Sequence, residues 1–288
     1  VDWLNAVVQG LLLGGLYALF ATGLSLMFGV MRVVNLAHGD LAVVASFLAV
    51  AIISGTGLPL WFVLCVTTPL FALLGYLTQR VLLQRSLSAG PMSTLVVTFG
   101  LSIVIQNVLL EVFSADTRTL DGGSFATGSF EISGQLSIPY LSLATFVLAV
   151  VVLVAIQLFL SRTGLGRMLR ASSDDPDTAT LVGADSRHVY GIATAIAFAT
   201  VALAGVMMAM RSSFDPATGP SRLLFAFEAV VIGGLGSLWG TLLGGMVLGL
   251  TQSIGAQIDP ALTILGGHLV FLVVLAFRPQ GLLPGRTA

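Results

Sequence analysis

The sequence predicts an all-α polytopic membrane protein with eight to nine transmembrane helices and two broken or re-entrant segments, near 31–40 and 223–240. Three observations carry this. Of 288 residues, 56% are apolar and only 9% charged, with a mean hydropathy of +1.02. A soluble chain of this length could not hide so much apolar surface, so the bilayer must be its solvent. The apolar residues form continuous runs of about 20 residues rather than the two-residue alternation of a β-barrel. Finally, polar or glycine-rich stretches interrupt the runs at two places only, where a membrane protein has little room for a loop.

Taken in order, the apolar spans are 5–31, 40–55, 60–84, 92–114, 139–161, 188–211, 238–255 and 261–277. Each can cross roughly 30 Å of hydrocarbon, with 40–55 and 261–277 at the short end. A further segment, 223–235, is apolar except for Glu228 and is either re-entrant or a short crossing. Gly10 with Gly14, Gly240 with Gly244, and Gly245 with Gly249 have the spacing that lets helix backbones approach closely. The chain reads as a single transmembrane domain over 1–288.

The arginines set the orientation. Arg80 and Arg85 close the third span, Arg162, Arg167, Arg170 and Arg187 fill the loop 162–187, and Arg278 and Arg286 follow the last span. The loop 115–138 instead carries Asp116, Asp121 and Glu131 against Arg118. This places 162–187 in the cytoplasm and 115–138 outside, and nine crossings then bring the C-terminal arginines inside. All 12 basic residues are Arg and the net charge is −1, which gives no footprint for nucleic acid. Cys65 lies alone in an apolar run, so neither a disulfide framework nor a cysteine metal site is expected. The first run lacks the basic flank of a cleavable signal peptide.

The candidate functional residues sit at the breaks. At the first, Asn35, His38, Gly39 and Asp40 follow Arg32. Polar residues at membrane depth are costly and by default mark a pathway, yet they can equally satisfy backbone groups freed at a break. At the second, Gly233, Gly234, Gly236 and Ser237 could offer backbone groups to a zwitterion's carboxylate, or simply permit a sharp turn. The two breaks are expected to face each other across a pathway. Glu228 is expected to pair with Arg222 or Arg211, and Tyr17 and Gln106 read as packing residues. In the loop 162–187, Asp174 or Asp175 followed by Pro176 and Asp177 marks a helix start. Gly183 would end that helix after about two turns. The result is one short helix, amphipathic through Ala179, Leu181 and Val182. It is either a connector packed on its own domain or a docking helix, since so short a helix is marginal alone.

Three stretches carry a resemblance. They are Gly14–Gly29 leading into Asn35-Leu-Ala-His-Gly-Asp40; Gly166-Arg-Met-Leu-Arg-Ala171 through Asp175-Pro176, Ala179 and Gly183; and Ala229–Gly240, with the ending Arg278-Pro-Gln-Gly-Leu282. Together they resemble the permease subunits of ABC importers for branched-chain and other hydrophobic amino acids, the LivH-like type. The likeness covers most of the chain and leaves 115–138 poorly matched. It implies a bacterial inner-membrane permease that pairs with a second, related permease (or a copy of itself). It also implies two ATPase subunits at the cytoplasmic face, engaged through Arg170, Asp174, Asp175, Ala179, Leu181 and Gly183, and a substrate-binding protein outside. ATP and Mg would then be bound by the partners, with no cofactor in this chain. The residues agree, because a chain without lysine has no G-x-x-x-x-G-K-[ST] phosphate loop. Two other readings stay open: a permease for urea, short amides or another small solute, and an ion-coupled secondary transporter. The second would call for an acid deep in a span.

Overall fold

The computed structural model describes residues 2–133, 136–181, 183, 185–283 and 285. Val182, Arg286 and the side chain of Asp177 therefore lie outside the described residues. The helices are α1 (Asp2–Met31), α2 (His38–Thr56), α3 (Leu60–Thr78) continuing through a π-helical turn (Gln79–Leu83) into α4 (Gln84–Ser88), and α5 (Pro91–Phe113). A short helix α6 (Gly123–Thr127) and an antiparallel hairpin of β1 (Ser129–Ser133) and β2 (Leu136–Pro139) lead to α7 (Tyr140–Arg162). Then come α8 (Gly164–Asp174), α9 (Pro176–Leu181), α10 (Ser186–Arg211), α11 (Gly219–Gly233), α12 (Leu238–Ile258) and α13 (Leu262–Phe277).

The all-α membrane class stands, while the number of crossings comes out somewhat lower than eight to nine. Six helical stretches are individually long and apolar enough to span, and a seventh arises if the bent pair α11–α12 counts as one. The reason is geometric: 223–235 and 238–255 read as two runs, but α11 and α12 meet at a bend of 116°. The run at 261–277 forms a helix of only 16 residues.

Small residues decide which helices form the centre. α1 packs most extensively on α12. A Cβ at Gly14 would lie 2.7 Å from the Gly245 carbonyl oxygen, and one at Gly10 would lie 2.7 Å from the Leu250 Cα. The close approach predicted from the glycine spacing is therefore real, and van der Waals contact between backbones holds the pair. α1 and α10 are mostly buried, whereas α3, α5 and α7 turn most of their surface outward. Their exposed residues, such as Leu73, Phe99 and Val151, are those a lipid or a membrane partner would cover.

Hydrogen bonds tie each end together. At one end, Gln9 donates to the Ser137 carbonyl and Arg118 exchanges backbone hydrogen bonds with Phe214. The 115–138 loop thus lies beside the N-terminus of α1 and the α10–α11 connection. At the other end, Tyr76 joins His188, and Arg80 donates to Tyr76. The arginine-rich connections gather at this second end, as the charge count predicted. The last turn of α1, the α11–α12 bend and the segment after α13 lie at the same end.

Candidate functional site

The first break is a return into the bundle. Arg32 ends α1 in the left-handed region (φ 55°), and its amide donates to the Phe28 carbonyl. A non-glycine residue there is uncommon and works as a helix stop. The chain then runs extended back along α1, so that α2 starts roughly three turns up from Met31, beside Phe20. His38 is fully buried and its Nε2–H donates to the Phe20 carbonyl at 2.9 Å. A carbonyl can only accept, so the proton sits on Nε2. Asn35 is fully buried as well; its Oδ1 accepts from the Ala37 amide at 3.0 Å, and its carbonyl accepts from the His38 amide.

Gly39 and Asp40 fix where this return docks. A Cβ at Gly39 would run into the Gly219 carbonyl, and one at Gly219 into the Asp40 side chain. Only glycine on both sides permits the α2 and α11 starts to meet. The Asp40 carboxylate accepts from the Ser102 hydroxyl at 2.6 Å and from Gln106 Nε2 at 3.0 Å. Gln106 also donates to Ser102. The first break is thereby pinned to α1, α5 and α11 together. Gln106, read from sequence as packing, is a ligand of Asp40 instead.

The second break is built from backbone. Gly234 (φ 114°) and Gly236 (φ 77°) take conformations that side chains rarely adopt. Ser237 caps α12, its Oγ accepting from the Gly240 amide at 3.1 Å. Gly233 lies against Gly240, and Gly244 against the Ala229 carbonyl. The last carbonyls of α11, which have no intrahelical partner, are taken by the segment after α13. Leu282 donates to Ile232 and Leu283 to Gly233, at 2.8 and 2.9 Å. Of these two carbonyls only that of Gly233 belongs to the candidate residues, and it is occupied by the chain itself. The two breaks approach each other at one end only: Gly29, in the last turn of α1 before Arg32, lies against Gly236, where a Cβ would be 3.2 Å from its Cα. From there the first break runs away from the second, and Gly39 and Asp40 lie at the start of α11, roughly 20 Å from the bend along its 15 residues.

Glu228 also differs from expectation. Its carboxylate accepts from His268 Nδ1 rather than from an arginine. Arg211 turns to Ser142 and Arg222 to Ser212. Glu228 comes six positions after Arg222 in the helix, which puts them on different faces of α11. Tyr17, read as packing, donates to Gln252 Oε1 at 2.5 Å. The signal for the Glu228–His268 pair was present as a lone acid and a lone histidine in otherwise apolar runs. Nothing in the sequence paired them.

The loop after α7 holds two helices, not one. Thr163 caps α8, accepting from the Gly166 amide at 2.9 Å, and α8 ends at Asp174. Asp175 caps α9, its carboxylate accepting from the Thr178 amide and hydroxyl. Gly183 follows in the left-handed region. Gly166 has no room for a side chain against Leu160, so α8 folds tightly back on α7. Arg170 is exposed on α8. Ala179 is buried, whereas Leu181 is 87% exposed, so α9 presents a bare leucine at the arginine-rich end.

The model of the branched-chain amino acid transport system permease component matches residues 6–277. The permease protein BraD of a high-affinity branched-chain amino acid transport system from Pseudomonas aeruginosa is 31% identical, over 98% of this chain and 95% of its own. The corresponding permease protein LivH from Salmonella typhimurium is 26% identical over the same shares. Among solved structures, PsaBC from Streptococcus pneumoniae in complex with Fab superposes with a TM-score of 0.50 at 15% identity. That match covers 96% of this chain and 93% of the other, and at this identity it speaks for the fold alone.

Proposed function

The chain belongs to the branched-chain amino acid transport system permease family, and from that premise we propose that it is the membrane-spanning subunit of an ATP-driven importer for branched-chain or other hydrophobic amino acids. The observation that carries the mechanism is the capped α8–α9 pair beside the α11–α12 bend. α9 has six residues and an almost fully exposed Leu181, and such a helix needs a surface to dock on. Arg170, Asp174, Asp175, Ala179, Leu181 and Gly183 form or frame that surface. Two ATPase subunits carrying ATP and Mg supply the force there, and this chain itself binds no cofactor. A second permease covers part of the outward helices, and a substrate-binding protein delivers the amino acid at the end bearing the 115–138 loop. That places the 162–187 loop in the cytoplasm and the whole chain, as one transmembrane domain, in the bacterial inner membrane.

In this reading α11 is the moving part. Its far end is anchored at Gly39 and Asp40, and its near end turns at Gly234–Ser237 beside α8. Closure of the ATPases shifts α8 and α9, and rigid-body rocking of α11 and α12 about the glycine turn opens or closes the route. The test is co-reconstitution in proteoliposomes: leucine uptake is expected only with ATP, the ATPases and the binding protein together. Cysteine at Leu181 should cross-link to an ATPase subunit. Uphill uptake by this chain alone, driven by an ion gradient, would overturn the reading.

A further inference from the structure

A cavity of about 640 Å³ opens at the arginine-rich end, between the last turns of α1, the α7–α8 corner and the first residues of α12. Its size falls in the range of small-molecule sites, roughly 300–1,000 Å³. We propose that this cavity binds the zwitterion of a hydrophobic amino acid and that occupancy ties α8 to α12. The inference rests on the permease reading above and adds a site at the coupling-loop end, separate from the first break.

The lining is divided by chemistry. Leu26 and Val30 of α1 with Leu238 and Trp239 of α12 make an apolar wall. Arg167, Arg170 and Asp174 line it from α8, three and four residues apart and therefore on one helical face. Among the described residues none of the three has an ion-pair partner. Two cationic groups and one carboxylate stand together, each with capacity to spare.

Two further features favour a carboxylate. α12 begins at the cavity, and the amides of Leu238 and Trp239 precede the first possible intrahelical acceptor. A helix start of this kind attracts anions. Ser25 stands in the same wall, fully buried, and its hydroxyl has no partner. A buried hydroxyl without a partner is a standing cost that a ligand oxygen would relieve. An amino acid carboxylate fits the guanidinium and α12 side, its ammonium fits Asp174, and its side chain fits Leu26, Val30 and Leu238. A bound molecule would bridge α8 to α12 across space that is otherwise open. The consequence is regulatory: amino acid accumulating at this end holds α8 still and slows the cycle.

Trp239 lines the cavity and is 45% exposed, so it reports occupancy. The assembled transporter in nanodiscs is titrated with L-leucine, and the signal is the fluorescence difference between the native chain and W239F. A saturable change with leucine is expected, with none from leucinol, which lacks the carboxylate. The double variant R167Q/R170Q should raise the half-saturating leucine concentration at least tenfold. Ser25→Ala should raise it roughly threefold to tenfold, without lowering the midpoint of thermal unfolding in the absence of leucine. If W239F does not assemble, an environment-sensitive dye on Ser173→Cys in a Cys65→Ser background reads the same cavity. No saturable response to leucine, or an equal response to leucinol, overturns the site. ATP-dependent leucine uptake is measured in the same preparation: uptake without a Trp239 response removes the site alone, whereas absence of uptake removes the permease reading itself.

Discussion

The two interruptions of the helical bundle solve the same problem with different materials. At the first, side chains do the bracing: His38 reaches the Phe20 carbonyl, Asn35 closes its own turn, and Asp40 gathers Ser102 and Gln106. At the second, glycine backbone and a capping serine make the turn, and the segment after α13 covers the last carbonyls of α11. Asn35, His38 and Asp40 of the first are buried and link it to three helices, whereas the second borders an open cavity beside α8. A network of buried side chains has one arrangement of low energy, because every partner lost leaves a costly unpaired group. A glycine turn has several, because its φ and ψ are free. In the proposed transport cycle the first break is the anchor and the second the hinge, with α11 as the lever between them.

The largest effect should come from filling the anchor's backbone contact. Gly39→Val drives a side chain into the Gly219 carbonyl, and neither backbone can yield without moving α2 or α11. A loss of about 3 kcal/mol is expected, at the upper end of typical overpacking costs. It would be read as a sharply lower thermal midpoint and poor recovery of the assembled complex. A variant that assembles normally and transports at the native rate would show that the contact is loose and that α11 is not anchored there.

Next in size is Asp40→Ala, which leaves the Ser102 hydroxyl and the Gln106 amide facing each other without their acceptor. Removing one partner from a buried polar set costs about 1–3 kcal/mol. Adding Ser102→Ala should recover part of that loss, since one orphaned donor disappears with its acceptor. A double-mutant cycle in thermal stability measures the recovery. Strict additivity would mean that Asp40 does not hold α5 through Ser102.

Much of this was legible in the sequence, for physical reasons. Hydropathy places the spans because lipid tolerates little else, and glycine spacing marks the helix faces that come close, though not which helix meets which, because only small residues let backbones touch. The Asp175 cap and the Gly183 stop follow from local chemistry and appear where expected. What could not be read is pairing across depth. Nothing local says that His38 climbs back to Phe20, that Asp40 meets Gln106, or that Glu228 finds His268 rather than a nearby arginine. These depend on how near-identical apolar helices stack. α8 was missed because Gly164 and Gly166 lower its helix propensity, while the tight fold-back on α7 demands glycine at 166. The count of crossings ran high because hydropathy cannot see that α11 and α12 share a bend.

The smallest predicted effect on stability carries the most information about the comparison. Ser237→Ala removes the α12 cap, a loss of about 1 kcal/mol, because the Gly240 amide loses its acceptor. Ser237→Asp restores an acceptor at the same place and should recover the stability, helped by a negative charge at a helix start. If the second break is a hinge, the two variants should differ in transport in the opposite sense. Loss of the cap loosens the turn and raises ATP hydrolysis that is not matched by uptake. A stronger cap stiffens the turn and slows the cycle while keeping the ratio of leucine carried to ATP consumed. That ratio, measured in proteoliposomes beside thermal midpoints, separates a hinge from a mere connection: a connection would lose stability in Ser237→Ala and leave the ratio where it was.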